Sequence, residues 1–277
     1  MKIRHYEWAD GKRLTVGDRT RIMGILNGTP DSFSDGGQYN TAAAAADHVR
    51  RMCQEGADII DLGVESTRPG HTQISVDEEI RRMSQLLPAV LEASTVPVSI
   101  DAYRAKSMDF ALSQGAHIVN DIWGLQYDPD MAAVAAHYQV PVVIMHNNTS
   151  TDYDDIIADM KAFYAKSIDL AMKEGVKLEN IWLDPGIGFG KTAEQNMEVL
   201  QRLDEITAYD ALPVLLATSR KGFIGKLLGD IPPQERDEGT LATNIAGVYA
   251  GVNMVRVHNV AMHKRAFTVL DAILRGE

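Results

Sequence analysis

Residues 21–37, RIMGILNGTPDSFSDGG, open as an unbroken apolar run and turn polar at a single residue, Asn27. A strand covered on both faces reads as such a run, so the fold depends on what the other runs do at their ends. Apolar runs at 58–63, 96–101, 117–121, 140–146, 180–186, 212–219 and 254–259 complete a set of eight strands, separated by helical stretches. Residues able to do chemistry stand at nearly every C-terminal end. They are Asn27; Glu65 with Thr67 and Arg68; Asp101; Asn120 with Asp121; His146; Asp184; Ser219 with Lys221; and Arg256 with His258. Eight strand-helix units can close into a barrel or lie open as a doubly wound sheet. An open sheet gathers its ligand groups at one switch point, whereas a barrel carries all its strand ends to one rim. The distribution therefore predicts a (β/α)8 TIM barrel.

The 277-residue length suits one domain of this kind, which typically needs roughly 250 residues. No Pro/Ser-rich linker divides the series, and residues 1–20 read as a short N-terminal appendage over the barrel bottom or an edge. Ser75 with Glu78 and Thr192 with Gln195 read as capping boxes, and Asp128-Pro129 as an N-cap and first helical residue. Gly56, Gly115 and Gly175 each close a helix just before the next strand.

Hydrophobic residues make up 45% of the chain and charged residues 23%, a balance that supports a sizeable core. The net charge of −11 argues against nucleic acid or an anionic membrane as the main partner, so an anion must be bound by a local basic pocket. The single cysteine, Cys53, excludes a disulfide framework and fits a reducing cytoplasm. The opening MKIRHYEWADGKRL has no apolar leader core, and no later run reaches the about 18 apolar residues of a membrane span, so neither export nor membrane insertion is expected.

Three motifs carry chemistry. DPGIGFGKT (184–192) fails as a P-loop, because Pro185 stands where the first glycine belongs. Its glycines would instead let the backbone and Phe189 approach a flat ligand beside Asp184, or simply make a tight turn. ATSRKGFIG (217–225) sets Lys221 just past a strand, at the start of a short helix, where free N–H groups and a cation favour an anionic or carbonyl ligand; a surface lysine is the plain alternative. VRVHN (255–259) puts Arg256 and His258 on one strand face. Inside a barrel such a pair needs an anion, which a diphosphate or a strand-end carboxylate could supply. His146 and His258 lack the spacing of a zinc site, whereas Asn27 could complete the shell of a Mg2+ that keeps most of its waters.

MGILNGTPDSFSDGG, GVESTRPG, VSIDAYRA, HIVNDIWG, VVIMHN, LDPGIGFGKT, TSRKGFIG, GTLATN and VRVHN closely resemble, in order, the segments of the dihydropteroate synthase family, from about residue 20 to the C-terminus. The resemblance implies a (β/α)8 barrel that condenses 6-hydroxymethyl-7,8-dihydropterin diphosphate with p-aminobenzoate and releases pyrophosphate. It implies that Asp101, Asn120, Asp184 and Lys221 hold the pterin edge, with Met145 and Phe189 near the ring. Arg256 and His258 would hold the diphosphate, with Mg2+ bridging through Asn27. Loops 28–37 and 64–71 would close over the site, Phe33 and Pro69 flanking the benzoate while Thr67 and Arg68 help to place diphosphate and amine. A homodimer and a sulfonamide target are implied in the same way.

Four positions depart from the family's pattern: Gly28 for Val, Val64 for Gly or Ala, Ala102 for Thr and Asn259 for Asp. Gly28 is expected to loosen the hinge of its loop, Ala102 to remove a hydroxyl beside Asp101, and Asn259 to give up an orienting charge. Gly222 stands where a serine often follows the lysine. Two rivals are a pterin-binding methyltransferase acting with a corrinoid protein, which has no leaving diphosphate for Arg256 and His258 to hold, and a non-catalytic pterin-binding homologue.

Overall fold

Eight parallel strands follow one another around a barrel in a computed structural model that describes residues 2–28, 38–65 and 73–276. A hairpin of β1 (Arg4–Glu7) and β2 (Arg13–Val16) precedes them. The barrel strands are β3 (Arg21–Asn27), β4 (Ile59–Gly63), β5 (Val98–Asp101), β6 (Ile118–Asp121), β7 (Val142–Met145), β8 (Ile181–Asp184), β9 (Leu215–Leu216) and β10 (Met254–Val257). The ladder runs β8-β7-β6-β5-β4-β3-β10-β9. It closes through a parallel bridge between Leu183 and Val214, where the Leu183 N–H donates to the Pro213 carbonyl at 2.8 Å. The expected barrel is therefore observed.

Helices alternate with the strands: α1 (Gln38–Glu55), α2 (Val76–Ala93), α3 (Ala105–Ser113), α4 (Met131–Tyr138), α5 (Ile156–Lys173), α6 (Ala193–Gln201), α7 (Asp204–Thr207), α8 (Gly222–Leu227), α9 (Asp237–Tyr249) and α10 (Val260–Arg275). None of the described helices is long and apolar enough to cross a membrane. Within the run at 212–219 the strand proper is short, Leu215–Leu216, preceded by the closing bridge at Val214. Pro97, Pro141 and Pro213 stand just before their strands, where the missing N–H costs no ladder bond and the carbonyl still accepts from the neighbouring strand.

Period-two alternation sorts the strand residues into two shells. Val98, Ile100, Val142, Ile144, Val255 and Val257 face outward into the large core beneath the helices. Met23, Ile59, Ile118, Val143, Trp182, Leu215 and Met254 face inward and fill the lower barrel. Two residues further along, the inward set includes Asp61, Asn120, Asp184 and Arg256, with Met145 an apolar member, so the interior turns from apolar to largely polar within one strand repeat. Leu14 and Val16 of the hairpin close the lower end, and Trp182 donates from Nε1 to the Tyr6 hydroxyl at 2.9 Å. Of the two placements open for residues 1–20, the hairpin occupies the bottom. Trp182 has no exposed surface, and its removal would cost about 3–5 kcal/mol.

The caps divide. Thr192 and Gln195 form the full reciprocal box. Ser75 accepts from the Glu78 N–H, but the Glu78 carboxylate turns to Arg81 and Arg82. The expected cap at Asp128 is corrected: α4 begins at Met131 after Asp130, and Asp128 accepts instead from the N–H groups of Ala105 and Asp130.

Candidate active site

The polar shell is held by one buried charge array. Arg256 donates from Nε to Asp61 Oδ2 at 2.6 Å and from a terminal nitrogen to Asp101 Oδ2 at 2.9 Å. Asn120 adds its amide to both Asp61 oxygens at 3.3 Å. The carboxylate partner that the sequence left open for Arg256 is therefore present. Two of the five guanidinium N–H groups are engaged, so the fork retains donors for a further anion. Burial works against the Arg256 charge, but Asp61 and Asp101 more than offset it and raise its pKa.

Asp101 is nearly buried, and its Oδ1 has no hydrogen-bond partner. Burial pushes this carboxyl up to about 7 despite the opposing Arg256 charge. Such an atom, aimed among strand ends, is an acceptor waiting for a donor or a cation.

Asp184, at the end of β8, accepts the Gly186 N–H at 2.7 Å. Its carboxyl is raised by burial, with Lys221 pulling the other way. Lys221 caps the start of α8 and donates to the Ile187 carbonyl, with its ammonium 4.5 Å from the Phe189 ring centre. Burial draws Lys221 down to about 8, against the pull of Asp184. Met145 packs with Tyr103 and Ile122, and Phe189 lies against the same cluster beside Trp123. An apolar slot thus adjoins Asp184 and Lys221, which suits a flat heterocycle with donors and acceptors on one edge.

His258 accepts or donates at Nδ1 to Ser219 Oγ over 2.8 Å, and its own N–H bonds the same oxygen at 3.1 Å. Asn27 is exposed at the tip of β3. Among the described residues no cluster of three or more His, Cys, Asp or Glu side chains could hold a metal. The exposed Asn27 amide oxygen would offer a single ligand, the kind of donor that a Mg2+ keeping most of its waters takes.

Hydrogen bonds through Asp61 gather Asp101, Asn120 and Arg256, and packing gathers Met145, Phe189 and Lys221. Asp184 feels the charges of both Lys221 and Arg256, which places the two groups side by side, with His258 two residues along from Arg256. Phe33, Thr67, Arg68 and Pro69 lie outside the described residues. His146 does not join the rim: it is wholly buried, between Asp159 and Lys191. Asp61 and Lys191 escaped the sequence reading. Asp61 stands inside an apolar strand, IIDLG, and that misplaced charge was its signal; Lys191 lay in the failed P-loop motif. A groove of about 560 Å³ opens at the opposite end, between the hairpin and residues such as His117 and Tyr138, but carries none of these groups.

The departures also find places. The Gly28 N–H donates to the Gly63 carbonyl at 2.7 Å, and a Cβ there would meet Leu86 Cδ1 at 2.6 Å and Val64 Cγ1 at 3.2 Å. Gly28 is a site of close packing, while the loop it was expected to loosen, residues 29–37, lies outside the described residues. Asn259 caps α10 through the Met262 N–H and donates to Asp237, which also carries Arg220. Its amide thus orients neighbours without a charge, and an aspartate there would face Asp237.

The model of the family described as Pterin binding enzyme matches residues 23–258. A dihydropteroate synthase of Clostridium beijerinckii is 49% identical, the match covering 95% of this chain and 98% of that protein. The crystal structure of the Clostridium difficile dihydropteroate synthase in the presence of pteroic acid superposes with a TM-score of 0.91 at 50% identity, covering 94% of this chain and 98% of the other. The Xanthomonas albilineans dihydropteroate synthase with 4-aminobenzoic acid also gives 0.91, at 38% identity, covering 96% and 97%. The family match over residues 23–258, with these likenesses in sequence and fold along nearly the whole chain, means that this chain belongs to the pterin-binding enzyme family and, within it, to the dihydropteroate synthases.

Proposed function

We propose that the chain condenses 6-hydroxymethyl-7,8-dihydropterin diphosphate with p-aminobenzoate to give 7,8-dihydropteroate and pyrophosphate, a transferase reaction of folate biosynthesis. The observation that carries this reading is the buried array of Asp184, Lys221, Asn120, Asp101 and Arg256 beside the Met145–Phe189 slot. In it, Asp184 accepts the paired N–H donors of the pterin edge, while Asn120 and Lys221 meet the remaining edge atoms. Met145 and Phe189 cover the ring faces.

Arg256 and His258 take the diphosphate oxygens, and on the loops outside the described residues Thr67 and Arg68 assist them. Mg2+, when bound through Asn27, supplies further neutralisation of the leaving group. The bond between the pterin methylene carbon and the diphosphate oxygen breaks with its electron pair leaving on pyrophosphate. The positive charge then spread over the pterin is stabilised by ionised Asp101, whose free oxygen is already desolvated and needs no reorganisation. The arylamine nitrogen attacks this carbon and loses a proton to water. An arylamine is neutral at physiological pH, so no strong general base is needed. Phe33 and Pro69 flank the benzoate in this reading.

A methyltransferase reading has no use for the Arg256–His258 pair. A homodimer is supported by large exposed apolar residues on α8–α10, Leu227, Tyr249, Val269, Ile273 and Leu274, with Leu228 just past the end of α8, since exposed apolar surface of this kind is what a partner covers. The deciding experiment is a coupled pyrophosphate-release assay with and without p-aminobenzoate. Release that requires both Mg2+ and the arylamine is expected. Pterin diphosphate binding without release would identify a non-catalytic homologue instead.

A further inference from the structure

The turn after β8 carries a clasp that substrate contact does not explain. The Lys191 ammonium stands 2.8 Å from His146 Nδ1, 3.0 Å from the Gly186 carbonyl and 3.1 Å from the Phe189 carbonyl. Three donors meet three acceptors. On its other side the buried His146 ring places Nε2 3.0 Å from Asp159 Oδ1. Counting donors assigns the protons. If Lys191 is charged it only donates, so Nδ1 is bare and the single ring proton sits on Nε2, facing Asp159. The opposite assignment would put a bare Nε2 against a carboxylate. Burial lowers His146 to about 4, in keeping with a neutral ring. Burial also draws Lys191 down to about 7 while Asp184 raises it; the three acceptors favour the charged form.

The turn is pressed onto the exit of β7. A Cβ on Gly186 would stand 1.8 Å from the His146 carbonyl oxygen, and one on Gly190 2.4 Å from that of Asn148. The residues so clamped are those that face the slot. Gly186 donates to Asp184, Ile187 accepts from Lys221, and Phe189 lies under the Lys221 ammonium.

We propose that Lys191 is a positioning residue for the pterin subsite: it ties the Gly186–Phe189 turn to His146 and thereby sets the direction of the Asp184 carboxylate and the Phe189 ring. Its effect on substrate rests on the pterin reading above; its effect on the turn does not.

The test compares wild type with Lys191→Met, His146→Asn and His146→Leu. An asparagine oxygen can stand near the position of Nδ1 and still accept from Lys191, whereas leucine cannot. Two quantities are measured: affinity for 6-hydroxymethylpterin, with KM for p-aminobenzoate beside it, and amide hydrogen exchange of residues 186–190 without ligand. Lys191→Met and His146→Leu are expected to lose about tenfold or more in pterin affinity, the scale of a charged hydrogen bond, with KM for the arylamine within about twofold. His146→Asn should stay within about threefold of wild type. Exchange in the turn should quicken in Lys191→Met and His146→Leu. Unchanged exchange, or His146→Asn falling as far as His146→Leu, overturns the assignment. Should Lys191→Met fail to fold, the two His146 variants decide. A wild-type protein that binds no pterin would remove the functional reading while the exchange result still judged the clasp.

Discussion

Arg256 Nε lies 2.6 Å from Asp61 Oδ2, so the guanidinium at the end of the last strand is fixed by a carboxylate in the middle of the second barrel strand. Asp61 has no exposed surface, and Asn120 is held through it as well. Replacing it with alanine leaves a buried cation with one carboxylate fewer. Asp61→Ala should lose about 3 kcal/mol of stability in denaturant unfolding, because breaking a buried pair costs more than the pair is worth. Unfolding at the wild-type midpoint would show that Asp101 alone holds Arg256.

Arg256 itself should discriminate between substrates. Arg256→Gln keeps a polar side chain against the carboxylates but removes the charge that meets a diphosphate. Affinity for the pterin diphosphate should fall by about tenfold to a hundredfold, the range of a charge-assisted bond, with bare hydroxymethylpterin changed much less. Equal losses for the two ligands in calorimetry would count against the diphosphate assignment.

Gly28 and Val64 behave as one packing unit, since a Cβ at 28 would fall 3.2 Å from a Val64 methyl. The volume that the family's pattern places at 28 is carried here at 64. Gly28→Val should therefore destabilise the protein by about 1–3 kcal/mol through overpacking. Gly28→Val combined with Val64→Ala should recover part of that loss, as expected for neighbours that share space. Strict additivity in thermal unfolding would mean that Leu86, not Val64, sets the limit.

The strand ends were legible because a polar residue after an apolar run breaks a pattern that can be counted. Asp101, Asp184, Lys221 and Arg256 could be found in this way, and the eight-fold recurrence implied closure. The Asp61 link was less legible, because which strand faces which carboxylate depends on barrel stagger. Lys191 was hidden for a different reason: its partner His146 lies 45 residues away, and they meet only because the turn folds back over β7. The start of α4 was misread because Asp128 spends its carboxylate on the Ala105 N–H of a preceding helix, a tertiary bond that no local pattern records.

Two groups of the array should appear in the pH dependence of kcat/KM for the pterin diphosphate, which reports the free enzyme. Burial raises Asp101 to about 7, so the carboxyl is neutral below that value and cannot stabilise the developing pterin cation. Activity should therefore rise with pH through about 7. Burial lowers Lys221 to about 8, so its ammonium is lost above that value and activity should fall again. The acid limb belongs to a cluster, since Asp61 and Arg256 act on Asp101, and its midpoint is that of the group as a whole. Asp101→Asn separates the two limbs, because an amide cannot ionise. The variant should be slower across the range, by about a hundredfold if it loses one preorganised charge, and should keep only the alkaline fall. An acid limb that survives unchanged in Asp101→Asn would assign that ionisation to another carboxyl, and with it the role of sheltering the cation.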